Sequence, residues 1–363
     1  MFLHSKDPTR QGRDGDSDDG SDQTDSDCII PHTWLGHKNL LRLLDPSFSG
    51  NYEVFLKVWK NEYPLIISHI SKNLDMKLWT PESFSQRYGE SKVDIINCIT
   101  GEVIPNQKMQ LFWDGFEDVG SRPKDKKGCP MLLKMKEWPR CTMFESILPL
   151  HMGDLLQALP LTAYTHPNGL LNFVNYIPNG FLTKDLGTEL LCAYGTAKYP
   201  WVGTKNLHVN NTDALNILVY VGKDTNEDNV YEETKVLQAV EDAGCDEMSI
   251  ERVIKNGDIP GAVWHVYNSQ DTKKINDLLK KINFSRGILS QPNQDLINDE
   301  NWYLDRILRG RLRREYKIEV HTVLQCLGDA VIIPAGAPHQ VRFLKSCIMV
   351  KHDFISSQNM KKL

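Results

Sequence analysis

The stretch TKNLHVNNTD, residues 204–213, sets His208 and Asn210 two positions apart, and PAGAPHQV, residues 334–341, offers a second histidine, His339, far along the chain. Non-haem iron oxygenases hold Fe(II) with two histidines and one carboxylate on one face of the metal, leaving the other positions for a 2-oxoacid and dioxygen. The usual form is His-x-Asp/Glu on one strand and a distant His on another. Alternate residues of a strand share a face, so this spacing aims both ligands into one cavity. Here an amide stands in the acid's place. By themselves the residues leave two readings open: an iron site with one ligand replaced, or histidines that serve only core and surface.

The neighbours divide in the same way. Asp213 lies an odd number of positions from His208 and is expected on the opposite face of a regular strand, a bulge being the only rescue. Asn216 lies eight positions on, hence on the same face. It reads either as a hydrogen-bond donor to a cosubstrate or as a buried amide satisfied by backbone. His265, Trp264 and Trp113 read as core or surface residues rather than ligands.

Such a site needs strands to carry it, and the second half of the chain supplies them. Apolar runs at ALNILVYVG (214–222), PGAVWHVY (260–267), HTVLQCLG (321–328), DAVIIPAG (329–336) and SCIMVKHDF (346–354) are separated by Gly and Pro turns. Short strands in that rhythm suggest a barrel or a double-sheet jelly roll. Helices decorate it: EETKVLQAVEDAG (232–244) ends at Gly, and DTKKINDLLKKI (271–282) puts Ile275, Leu278, Leu279 and Ile282 on one face behind an Asp cap. Upstream, NYEVFLKVWKNEYPLIISHI (51–70) reads as a helix running into a strand. TPESFSQRYG (80–89) reads as a helix begun by Pro and closed by Gly. Leucines 40–44 spell LxxLL, which reads as a first-turn core helix or as a helix offered to a nuclear receptor.

The 363 residues are 40% hydrophobic and 25% charged, an ordinary globular composition, and the net charge of −5 excludes a global basic field for nucleic acid. The cluster RGRLRREYK (309–317) reads as the solvated face of a helix. Eight cysteines occur without a CxxC pair, so neither a zinc ribbon nor a redox dithiol is legible, and reduced thiols in a cytosolic or nuclear protein fit best. No apolar run approaches the length of about eighteen residues that a membrane span requires. Residues 5–28 carry seven Asp between 14 and 27 and almost nothing apolar, so residues 1–29 are expected to form a disordered acidic tail. Beyond it we expect a mixed helical and strand part over 30–200, a jelly-roll core over 201–356 with a helical insertion at about 223–318, and a short tail over 357–363.

Long, ordered words carry a resemblance over residues 34–355: LWTPESFSQRYG, VDIINC, LFWDGFE, LPLTAYT, GTKNLH, DALNILVYVG, PGAVWHVY, WYLDRILRGRLRREY and LGDAVIIPAGAPHQV. In these the chain resembles the JmjC catalytic region of the lysine-specific demethylase 3 family, the group that also includes hairless. The resemblance implies a mostly β, cupin-like double-stranded β-helix using Fe(II) and 2-oxoglutarate. It implies removal of methyl groups from mono- and dimethylated lysine-9 of histone H3, in the nucleus, among chromatin-associated proteins and with a homodimer as one arrangement. His208 and His339 match the family's iron-binding histidines, and Asn210 occupies its carboxylate position, so iron binding is expected to be weakened. Where many JmjC enzymes place a Thr for the far carboxylate of 2-oxoglutarate, this chain has Lys205. The family's upstream zinc finger has no counterpart in the cysteine spacing, so the chain reads as the catalytic region alone. Two functions follow as alternatives: a demethylase with an imperfect iron site, or a pseudoenzyme scaffold of the same fold.

Overall fold

Apolar runs bounded by Gly, Pro and Asn become strands because backbone groups leaving water must pair, and β-branched residues fit a pleated, buried surface. The computed structural model describes residues 30–362 apart from 37–38, 141–142, 178–185, 224–228, 290 and 292, so the acidic tail expected over 1–29 lies outside the described residues. The strands in chain order are β1 (His32–Leu35), β2 (Leu40–Leu43), β3 (Leu65–Ile67), β4 (Lys92–Asn97), β5 (Val103–Lys108), β6 (Leu133–Met135) and β7 (Thr188–Ala193). There follow β8 (Lys205–His208), β9 (Asp213–Val221), β10 (Pro260–Val266), β11 (His321–Cys326), β12 (Ala330–Ile333), β13 (His339–Phe343) and β14 (Cys347–Phe354).

They make a ten-stranded sheet in the order β1-β2-β3-β12-β9-β14-β7-β6-β4-β5 and a four-stranded sheet in the order β11-β10-β13-β8. One core joins the inner faces of both: Leu218, Val331, Ile333 and Met349 from the large sheet meet Trp264, Val323, Val341 and Phe343 from the small one. This is a cupin-like jelly roll, with two facing sheets whose edges do not close into a barrel.

The helices are α1 (Asn51–Trp59), α2 (Pro81–Tyr88), α3 (Met109–Glu117), α4 (Phe144–Ile147), α5 (Pro149–Ala158) and α6 (Thr162–Thr165) before the small sheet begins. After β9 come α7 (Asn229–Ala243) and α8 (Glu247–Asn256), and after β10 come α9 (Thr272–Ser285) and α10 (Arg306–Tyr316). In α2, Thr80 Oγ1 accepts from Ser83 N at 3.1 Å with Pro81 opening the first turn, as TPES predicts. In α9 the four predicted apolar residues are buried against Leu304 and Leu312. The expected Asp cap is not made: Asp271 accepts no backbone N–H of the helix and takes Lys274 Nζ at 3.0 Å instead. No described helix is long and apolar enough to cross a membrane.

Leucines 40–44 correct both helical readings. Leu40–Leu43 is a strand, antiparallel to β1 and parallel to β3, and Leu40, Leu41 and Leu43 are fully buried. A short helix would gain few bonds for its nucleation cost, whereas two flanking strands satisfy this backbone at once. A receptor groove has no apolar helix face to grip there.

Candidate functional site

His208 ends β8 and His339 begins β13, and the two are direct partners across the antiparallel ladder. Their ring centroids lie 4.1 Å apart at an interplanar angle of 57°, and both residues are buried. Each Nδ1 faces a backbone carbonyl two residues back, Asn206 O at 2.7 Å for His208 and Ala337 O at 2.8 Å for His339. A carbonyl can only accept, so each Nδ1 carries the proton and donates it, which leaves each Nε2 with its lone pair. Neither Nε2 has a hydrogen-bond partner among the described residues. Burial holds both rings neutral. It pushes His339 down to about 3 and His208 well below the usual imidazole range, with His339 and then Lys205 adding to the effect on His208. Neutral imidazoles with carbonyl-fixed tautomers are the form in which histidine ligates a metal.

The turn that presents His339 is held from two sides. Gly336, at φ 77°, donates its N–H to Asn210 O at 2.8 Å, and Ala335 N donates to Asp213 Oδ1 at 2.8 Å. Asp213 also accepts from Ser356 N at 2.8 Å, Ser356 Oγ at 2.6 Å and Asn359 Nδ2 at 2.7 Å. Its oxygens are thus committed to the scaffold. Sequence reasoning saw Asp213 only as a failed ligand and missed that it anchors the histidine turn; its place beside LHVN was the available signal.

Lys205 shows what the odd spacing concealed. On β13, His339 and Val341 are two positions apart and share a face; their partners on β8, His208 and Lys205, are three apart, with an irregularity between them. The extra residue returns Lys205 to the face of His208. Lys205 is half-buried, its charge reaches both imidazoles, and its ammonium has no hydrogen bond or ion pair among the described residues. From the opposite sheet Lys351 also reaches both histidines, while held by Asp353 at 3.0 Å and Glu189 at 3.4 Å. A lysine within the otherwise apolar run SCIMVKHDF was the signal for it, and it was passed over.

Asn216 sits mid-β9, the ladder partner of Val331 and Lys351, and its Nδ2 donates to Val331 O at a long 3.4 Å. Asn210 follows β8 in a loop, and its carboxamide makes no hydrogen bond among the described residues. Trp264 is inner core, its ring 6.1 Å from His339 and its Nε1 donating to Gln325 Oε1 at 2.7 Å. Trp113 stacks on Phe84, and His265 faces away from the histidine pair with Nε2 on Ala243 O at 3.0 Å.

These residues fit a divalent transition metal through two nitrogen donors of the right tautomer. A third ligand drawn from Asn210 would be a neutral amide oxygen, weaker than a carboxylate. Accordingly, among the described residues no three His, Cys, Asp or Glu side chains are grouped to hold a metal.

A family model described as JmjC domain, hydroxylase, matches residues 254–354, the span that carries β10, His339 and β14. Lysine-specific demethylase 3 of Drosophila melanogaster is 43% identical over 331 residues, covering 91% of this chain and 39% of that protein. Lysine-specific demethylase 3A of Homo sapiens is 43% identical over 333 residues, 91% of this chain and 25% of the relative. The human Probable JmjC domain-containing histone demethylation protein 2C is 39% identical over 333 residues, 91% of this chain and 13% of the relative. The chain therefore spans well under half the length of these relatives. With the jelly roll and its paired histidines in place, the chain carries a JmjC domain and, along nine-tenths of its length, is similar to the lysine-specific demethylases 3 and 3A.

Proposed function

We propose that this chain is the catalytic region of a histone lysine demethylase dependent on Fe(II) and 2-oxoglutarate, acting in the nucleus on mono- and dimethylated lysine-9 of the histone H3 tail. The observation that carries the reading is the pair of cross-strand imidazoles, side by side, with both Nε2 lone pairs unspent. His208 and His339 bind the metal through Nε2, while Asn206 O and Ala337 O orient the rings. Asn210 takes the third position through its amide oxygen. Lys205, without a partner among the described residues, receives the far carboxylate of 2-oxoglutarate in a charge-assisted hydrogen bond. Asn216 borders the same space from β9. Trp264 and the apolar inner faces keep water from the reacting methyl group. When bound, the metal and 2-oxoglutarate would activate dioxygen, the oxidant: one oxygen atom would end in succinate as carbon dioxide is lost, and the other on the N-methyl carbon, which leaves as formaldehyde.

Asn210 favours a second reading, a pseudoenzyme that keeps the fold as a chromatin or corepressor scaffold. Losing one anionic ligand removes formal charge and a strong oxygen donor from the metal's immediate surroundings. The deciding experiment is anaerobic titration of Fe(II) and 2-oxoglutarate, watching for the metal-to-ligand charge-transfer absorption, followed by succinate and formaldehyde release with a dimethylated H3 peptide. A band and products from the natural chain establish the demethylase. A band only after Asn210→Asp establishes the scaffold. If neither form binds metal better than His339→Ala, both readings fall.

A further inference from the structure

The outer face of the small sheet carries a second cavity, of about 250 Å³, between the C-terminal end of α7 and the start of α10. Two guanidiniums line it, Arg342 from β13 and Arg309 from α10. Arg342 is 3% exposed, yet among the described residues its only hydrogen bond runs from Nη2 to Ala239 O at 3.3 Å, and its buried Nε has no partner there. Among the described residues Arg309 donates to backbone carbonyls alone: Leu304 O at 3.0 Å, Asp242 O at 3.2 Å and Ala243 O at 3.3 Å. Carbonyls satisfy donors but leave the charge uncompensated. The two carboxylates at the rim are engaged elsewhere, Asp242 with Arg306 at 3.2 Å and Asp305 capping α10 through Leu308 N at 2.9 Å. Burial, and then the neighbouring Arg342, lower the Arg309 pKa, and the opposing effect of Tyr303, Tyr267 and Asp305 does not restore it.

The wall is rigid. Gln340, on the same strand as Arg342, clamps the segment before α10 with Nε2 to Leu304 O at 2.9 Å and Oε1 from Leu304 N at 2.8 Å. Trp201, 60% exposed, stands at the mouth with its ring 5.9 Å from that of Tyr199 at an interplanar angle of 83°. We propose that this cavity binds a small oxyanion, a phosphate or a carboxylate group, in the forks of Arg309 and Arg342, with the apolar part of its bearer resting on Trp201. Planar guanidiniums match both oxyanions in pairs of parallel hydrogen bonds, and the orphaned Arg342 Nε would gain relief as its neighbouring Nη engages. The site lies on the face of β13 opposite His339 and does not depend on the demethylase reading.

The test is thermal denaturation of the whole chain with inorganic phosphate and, separately, acetate, against chloride at matched ionic strength. The expected result is a saturable rise in Tm with at least one of the two, the more effective anion identifying the group. The half-saturating concentration should rise roughly tenfold or more in Arg342→Gln and in Arg309→Lys, the second of which keeps the charge and loses the fork. Lys205→Ala should leave it unchanged. No saturable shift with either anion, an equal shift in the arginine variants, or loss of the shift in Lys205→Ala would each overturn the proposal; should Arg342→Gln not fold, Arg309→Lys decides.

Discussion

In the proposed site a carboxamide joins two neutral imidazoles, and that substitution would set the metal affinity. Because burial already keeps His208 and His339 unprotonated, a metal need not displace protons from them near neutral pH, and the missing negative charge is the main deficit. Asn210→Asp is therefore expected to tighten Mn(II) binding by about tenfold or more, or at least ~1.4 kcal/mol, read by calorimetry with Mn(II) standing in for Fe(II). His339→Ala should abolish it in either background. Other buried histidines give a signature in stability. Burial pushes His352, held between Thr188 Oγ1 and Thr165 O, and His321 down to about 4 from an ordinary 6.5. The unfolded chain then binds protons that the native state refuses, so their contribution is complete above pH 6.5 and is lost as pH falls toward about 4. Asp213, raised to about 6 by burial, works against this, since in its native site it takes up a proton before the unfolded chain does. Urea midpoints should fall as pH is lowered from about 7 to 5, more shallowly in His352→Gln; a midpoint flat across that window would refute the assignment.

Elements position these residues, and here the turn before β13 matters most. Its two anchors come from the segment after β8, Asn210 through its carbonyl and Asp213 through its carboxylate, so the second histidine is placed by residues adjoining the first. Asp213→Asn turns an NH₂ toward donors that need an acceptor, stranding buried N–H and O–H groups at about 1–3 kcal/mol each. It should lower the denaturation midpoint and weaken Mn(II) binding together, whereas Ser356→Ala, which removes one hydroxyl donor, should cost only about 1 kcal/mol and leave Mn(II) affinity intact. Equal metal affinity in Asp213→Asn and the natural chain would show the turn to be held without it. Periodicity made α9 legible, and Leu278, fully buried in its cluster, should cost about 2–5 kcal/mol on truncation to Ala, measured by urea denaturation. Capping chemistry made α2 legible as well. Local pattern failed where pairing decided the outcome: leucines 40–44 have a helical motif's spacing but gain two strand partners, and Lys205 has the wrong parity until an irregularity in β8 corrects it. Both facts depend on residues distant in sequence, which a window along the chain does not contain.

On the scale of the whole molecule the same limit explains what the residues alone could not tell. Strand character and two histidine-bearing segments were legible; that β8 lies beside β13 with those histidines in register was not, because register is fixed by contacts between remote segments. One polar network ties such segments together. Arg252 of α8 reaches Asp329, in the turn before β12, at 2.8 Å and Asp258 at 3.0 Å, and Arg42 of β2 reaches Asp258 at 3.4 Å. Asp329 also accepts from Cys326 N at 3.0 Å, while its backbone carbonyl accepts from Leu218 N of β9 at 3.0 Å. An N-terminal strand, an inserted helix and the middle of the large sheet thus meet at one largely buried cluster, in which the carboxylates, Asp329 first, hold the Arg252 pKa above its usual value against the cost of burial. Removing one member of a buried pair leaves its partner's charge uncompensated, at about 3–5 kcal/mol, whereas removing both exchanges the pair for apolar packing at far lower cost. Arg252→Met and Asp329→Leu should each lower the urea midpoint sharply, and the double variant should recover part of that loss rather than sum the two. Strict additivity in the double-mutant cycle would mean that Arg252 and Asp329 act independently and that α8 is joined to the sheet by its apolar contacts alone.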